Sequence, residues 1–201
     1  MAGPRTTHQT KIVPPQLHGV VLRERLFRLL DGLQDYPVIW VSSPAGSGKT
    51  TLMASYARTR AIPTLWYRVD ETDNDAATLF YYLRQAAKQL KKGRTKPLPL
   101  FTAEYRPGVS AFARRYFESL FERMATPGMI VFDNYQDAPE ASTFHEIMLN
   151  GLRMVPEGIR VFVVSRKEPP PPFVSLQAES GLASLGWDAI RFTGNEVREM
   201  L

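Results

Sequence analysis

The stretch Ser43 to Thr51, SPAGSGKTT, sets small residues and a Gly48-Lys49-Thr50 triplet directly behind the apolar run VIWVS at 38–42. Residues of these types at this spacing can wrap a polyphosphate. Glycines let the backbone turn tightly and approach an anion, the N–H groups of a following helix start point at it, a lysine neutralises it, and a hydroxyl can ligate a divalent cation. The spacing is that of the phosphate loop G-x-x-x-x-G-K-[ST], with Ser43 in the first glycine position. Ser43, Pro44, Ala45, Gly46, Ser47, Gly48, Lys49, Thr50 and Thr51 are therefore the expected phosphate-contacting residues. Lys49 would reach the β- and γ-phosphates and Thr50 would hold Mg2+. Such a loop needs a second metal anchor at the end of another buried strand. MIVFDNYQD at 129–137 offers Asp133.

The residue after Asp133 bears on whether bound nucleotide is hydrolysed. An acid there would polarise an attacking water, but the position holds Asn134, and an amide cannot accept a proton at neutral pH. Glu71 or Asp73, in VDETDND at 69–75, could substitute; the plainer reading has Asp73 and Asn74 capping a helix from Ala76. Arg166 follows a fourth apolar run, RVFVVS at 160–165. If that strand lies between the one preceding the loop and the one ending in Asp133, Arg166 faces the terminal phosphate and reports its presence. Lys49, Asp133 and Arg166 thus form the expected catalytic or sensing set.

These residues need a frame. Strands are expected at 38–42, 64–70, 129–133 and 160–165, alternating with helices whose apolar stripes are Leu22/Leu26/Leu29/Leu30/Leu33, Leu79/Tyr82/Leu83/Ala86/Leu90, Phe112/Tyr116/Leu120/Met124 and Phe144/Ile147/Met148/Leu152/Val155. Near-continuous apolar strands separated by helices predict an α/β fold, a mostly parallel sheet covered on both sides. Two long loops are expected, basic and irregular at 91–108 and proline-led at 166–187. Near the end, Thr193 and Glu196 form a capping box with Phe192 and Val197 as its hydrophobic staple, so a helix starts near Gly194. We divide the chain into an N-terminal extension (1–18), a nucleotide-binding domain (19–192) and the start of a truncated helical domain (193–201).

Composition narrows the class. With 44% apolar and 22% charged residues the chain is of globular type, and without cysteine it has no disulfide, thiolate metal site or thiol nucleophile. No apolar stretch reaches the roughly 18 residues of a membrane span, and the first residues lack a signal-peptide core, so a cytoplasmic protein is expected. Six basic residues fall within 84–96, but no aromatic interleaves them to stack a base. They read as a solvated helix end, and no DNA binding is expected of this chain.

KIVPPQLHGVVLRERL, VSSPAGSGKTTL, LWYRVDETDND, IVFDNYQDA, VFVVSRKEPP and IRFTGNEVREML, in this order and spacing from Lys11 to Leu201, resemble the ATPase module of the STAND class, in particular the large LuxR-type, maltose-regulon-activator-like transcriptional regulators. The resemblance implies a three-layer P-loop fold of five strands, with the sensor strand between the two Walker strands. It implies ATP or ADP with Mg2+ gating self-association and transcription, and Val21 and Arg23 near the adenine. Members often carry Asp-Asp and a histidine where this chain has Asp133-Asn134 and Gln136, so slow or absent hydrolysis is expected. Two alternatives stay open: a competent stand-alone ATPase or kinase, and a nucleic-acid-binding P-loop protein.

Overall fold

The computed structural model describes residues 10–90, 96–140 and 143–198. The four apolar runs form β1 (Val38–Ser42), β2 (Thr64–Arg68), β3 (Gly128–Asp133) and β4 (Ile159–Ser165), and a fifth strand, β5, spans Leu182–Leu185. Every pairing is parallel and the order is β2-β3-β4-β1-β5. β4 therefore sits between β1 and β3, as the resemblance implies. β1 and β3 are buried along their whole length, which is why they read as unbroken apolar runs. β5, with the sequence LASL, pairs only with β1 and is partly exposed, so it carries no such run.

The strands divide the core by alternation, since successive side chains point to opposite faces. Ile39, Val41, Trp66, Met129, Val131, Phe162 and Val164 face α1 (Glu24–Asp31) and α2 (Lys49–Thr59), meeting Leu26, Phe27, Leu30, Leu52, Met53 and Tyr56. Trp40, Tyr67, Ile130, Phe132, Val161 and Val163 face α3 (Ala76–Ala87), α4 (Val109–Phe121) and α5 (Thr143–Leu152). The stripes predicted for α3, α4 and α5 supply Leu79, Leu83, Phe112, Tyr116, Leu120, Phe144, Ile147 and Met148 to that core. The α1 stripe is different. Its buried residues are Leu26, Phe27 and Leu30, while Leu22 and Leu29 are exposed, because the helix begins only at Glu24 and Phe27 takes the inward position.

Two local expectations are corrected. Asp75, not Asp73 or Asn74, caps α3, accepting from the Thr78 amide at 3.1 Å and its hydroxyl at 2.9 Å. In the 91–108 loop, residues 91–95 lie outside the described residues, as does part of the basic run at 84–96. Its remainder is not wholly irregular: Ala103–Gly108 forms a 3-10 turn, and Phe101 and Tyr105 lie 5.1 and 4.8 Å from the Phe112 ring. At α8 (Gly194–Arg198), which follows short α6 (Val174–Ala178) and α7 (Trp187–Ile190), the capping box is present, with the Thr193 amide donating to Glu196 at 2.8 Å and the Glu196 amide to the Thr193 hydroxyl at 3.3 Å. The staple is not. Phe192 and Val197 are exposed, and the Phe192 ring lies 4.0 Å from the Arg23 guanidinium.

Residues 10–18 pack as a strap against the outer side of β2. The Lys11 carbonyl accepts from the Arg68 amide at 2.7 Å, and the Lys11 ammonium reaches Asp70 at 2.6 Å and Asp73 at 2.9 Å. Among the described residues no helix is long and apolar enough to cross a membrane.

Candidate nucleotide site

The loop from Ser43 to Gly48 joins β1 to α2 at the carboxyl end of the sheet. Gly46 and Gly48 have φ of +77° and +80°, and a Cβ on either would meet no atom within 4 Å. The glycines are thus required by the backbone, and the space they face is open. Ser43, in place of the first glycine, needs no positive φ. Its amide donates to the Ser165 carbonyl at 3.3 Å, continuing the pairing of β1 with β4, and its hydroxyl meets that of Ser47 at 2.6 Å across the loop. Pro44 and Ala45 form the exposed tip. Gly48 caps α2 with no side-chain bond, so the amides of its first turn keep the unsatisfied donors that suit an anion.

Lys49 folds back over the loop, donating to the Ser43 carbonyl at 2.6 Å, the Pro44 carbonyl at 2.9 Å and the Ser47 hydroxyl at 3.3 Å. Burial pushes its ammonium below the ordinary lysine value; the charge of Arg166 adds to this and Asp133 opposes it. The Thr50 hydroxyl donates to Asp133 Oδ1 at 2.9 Å, which also receives the Asn134 amide at 3.1 Å. Asp133 is 1% exposed, and its Oδ2 is buried without a hydrogen-bond partner. Burial pushes this carboxyl up. A hydroxyl beside a carboxylate with a spare buried oxygen is a donor set that fits a hard divalent cation.

Asn134 adopts left-handed backbone, φ 60° and ψ 38°, as β3 turns into a 3-10 segment at Tyr135–Asp137. Asn and Asp tolerate that conformation better than other side chains, so the residue has a backbone reason to be there as well as a chemical one. Gln136 accepts from the Arg166 amide at 3.0 Å, tying the turn after β3 to the end of β4. The Arg166 side chain itself is exposed.

Val21 and Arg23 line a cavity of about 200 Å³ with Gly19, Gly48, Thr51, Ser55 and Phe192, next to the loop. Arg23, 6% exposed, donates through Nη2 to the carbonyls of Ile190 and Arg191 at 2.6 and 3.0 Å and pairs with Glu196 at 3.1 Å, while its Nη1 is buried and unpartnered. Asp73, by contrast, is excluded as a water-activating base. It is fully buried, with Lys11 Nζ at 2.9 Å, the Tyr67 hydroxyl at 2.5 Å and the Asp70 amide at 2.9 Å on its oxygens. Sequence reasoning missed this cluster, since its cation lies 62 residues away. It also missed Arg68, which lines a second cavity with Thr50 and Asp133.

This chain is similar to transcription regulators over most of its length. It is 30% identical over 188 residues, 92% of the chain, to the HTH-type transcriptional regulator MalT of Cronobacter sakazakii, and 29% identical over 187 residues to MalT of Yersinia enterocolitica. Each match takes in 20% of the relative, so the chain spans about a fifth of the length of these curated relatives. Among solved structures, a Walker-type ATPase of Pyrococcus abyssi superimposes with a TM-score of 0.54 at 12% identity, covering 94% of this chain and 59% of that one. The Aeropyrum pernix ORC1 protein, solved in complex with DNA, gives a TM-score of 0.50 at 14% identity, covering 94% and 50%. These two show the fold alone: an α/β architecture with a parallel sheet between layers of helices. The family model described as nephrocystin 3, N-terminal, matches residues 20–166, from ahead of α1 to Arg166, and the chain belongs to that family.

Proposed function

We propose that this domain binds ATP or ADP with Mg2+ and serves as the nucleotide switch of a cytoplasmic bacterial transcription regulator. One observation carries the reading: Thr50 and Asp133 meet at 2.9 Å where the loop's open amides end, and Asp133 keeps a buried oxygen without a partner. In this reading Ser43 to Thr51 enclose the phosphates, Lys49 leaves its loop carbonyls for the β- and γ-oxygens, and Thr50 and Asp133 hold the cation. Val21 and Arg23 line the base pocket, and Arg166 senses the terminal phosphate. Mg2+ there would neutralise phosphate charge. Nucleotide would gate self-association of the full-length protein, and DNA contact would fall to parts of it other than this domain.

Turnover is proposed to be slow or absent, because Asn134 cannot take a proton and Asp73 is committed to Lys11 and Tyr67. A second reading, a competent ATPase, is favoured by one fact: the left-handed backbone at Asn134 accounts for the amide without reference to water. Calorimetric titration with ATP and ADP, with and without Mg2+, tests the binding; Lys49→Ala should abolish it, and equal affinity in that variant would sink the assignment. Multiple-turnover phosphate release separates the two readings, since several turnovers per second is a typical enzymatic rate and would favour the second.

A further inference from the structure

Arg68 ends β2, and its register partner in β3 is Asp133. Residues paired in parallel strands point to the same face, and strands lie about 4.8 Å apart. The alternation fixes which face: Trp66, two residues before Arg68, and Val131, two before Asp133, both pack on the side of α1 and α2. Arg68 therefore leaves the sheet on the side where Thr50 and Asp133 meet. All three line one cavity of about 630 Å³, walled on its other side by the strap residues Val13 and Pro14.

The backbone of Arg68 is held, its amide donating to the Lys11 carbonyl at 2.7 Å. Its side chain is exposed and forms no hydrogen bond or salt bridge among the described residues, Asp133 included. Its charge nevertheless acts on Asp133, favouring the carboxylate. A guanidinium placed beside a cation-holding carboxylate, unpaired and facing an open cavity, suits an anion with several oxygens.

We propose that Arg68 contacts the terminal phosphate of a nucleoside triphosphate, making the site prefer tri- over diphosphate from the β2 side, while Arg166 acts from the β4 side. This rests on the nucleotide-binding reading above. Arg68 is a ligand contact in this view, and it implies no bond-making step.

The test is calorimetric titration of the chain, with Mg2+, against ADP and a non-hydrolysable ATP analogue, for the unaltered protein, Arg68→Gln and Arg68→Lys. Because Arg68 is exposed, both variants should keep the melting temperature of the parent, which is measured alongside. Arg68→Gln should weaken the triphosphate analogue roughly 10- to 100-fold, the range for a charged hydrogen bond, with ADP affinity held within about threefold of the parent. Arg68→Lys should recover part of the loss. Equal weakening for ADP and the analogue, or no change in either, overturns the proposal while leaving the nucleotide site intact. Failure of the unaltered protein to bind either nucleotide removes the nucleotide reading and this inference together.

Discussion

Two buried carboxylates lie at the carboxyl end of the sheet, and they have been treated in opposite ways. Asp73 and Asp133 are 0% and 1% exposed, and burial is the largest influence on each, pushing both up. Around Asp73 every oxygen is answered: Lys11, the Tyr67 hydroxyl and the Asp70 amide close it off. Around Asp133 one oxygen takes Thr50 and the Asn134 amide, and the other takes nothing. An unsatisfied buried oxygen is costly, so a fold that satisfies one carboxylate fully and leaves the other short points to a ligand at the second. The first is a structural joint. The second, in the proposed reading, is half of a binding site.

Breaking the joint should give the largest effect. Lys11→Met leaves the Asp73 charge buried without its cation, a change that costs about 3 to 5 kcal/mol, and at about 2 to 4 °C per kcal/mol for a domain this size the melting temperature should fall by roughly 6 to 20 °C. Asp133→Asn should leave thermal stability within about 1 kcal/mol, because an amide oxygen still accepts from Thr50. If the two variants destabilise equally, the distinction between joint and site fails.

A third buried carboxylate sharpens the contrast through pH. Glu196, although burial opposes it, is drawn down to about 2 by Arg23, the Thr193 amide and Arg25. Its folded value lies below its unfolded one, so the stability it supplies is present above about pH 4.5 and drains away as pH falls toward about 2. Acidification from pH 6 to 3 should therefore lower hydrogen-exchange protection factors at the Thr193–Val197 turn before those of β1 or β3. A uniform fall in protection across the sheet would count against it.

Ligand should then separate the two aspartates again. Nucleotide at about 100 times its dissociation constant adds roughly 2.7 kcal/mol, a rise of about 5 to 10 °C in melting temperature. The Mg2+-dependent part of that rise should vanish in Asp133→Asn and survive in Asp70→Asn, which thins the Lys11 joint without touching the site. The smallest effect is kinetic. Asn134→Asp keeps a residue that tolerates left-handed backbone and adds a carboxylate beside the cation site, so single-turnover hydrolysis should rise at least about tenfold. Asn134→Ala should instead cost about 1 kcal/mol of stability with no gain in rate. Should Asn134→Asp change nothing, the amide is there for its backbone alone.

The legible parts of this protein are those in which chemistry and local backbone coincide. The strand-loop-helix around Ser43 to Thr51 and the strand ending in Asp133 are legible because each is a short, contiguous pattern. α4 and α5 read correctly because their inward residues keep helical period. Asp73 was misread as a cap because VDETDND holds three aspartates able to cap α3, and only the distant Lys11 decides which is drawn inside. β5 escaped because a short edge strand needs no apolar run. Arg68 belongs to no motif, and its place beside Asp133 follows from register, which no stretch of sequence states.

The strap also limits what the sheet can do. Among the described residues β2 pairs with a strand on one side only, and an unpaired edge invites another chain to add to it. Here the Lys11 carbonyl occupies the Arg68 amide, and Pro14 and Pro15 then pass beside Thr64 and Trp66. Prolines have no N–H with which to extend a ladder. The segment that helps wall the second cavity thus also ends the sheet, and a copy of this protein approaching edge-on would find the position taken by residues unable to hand the pairing on.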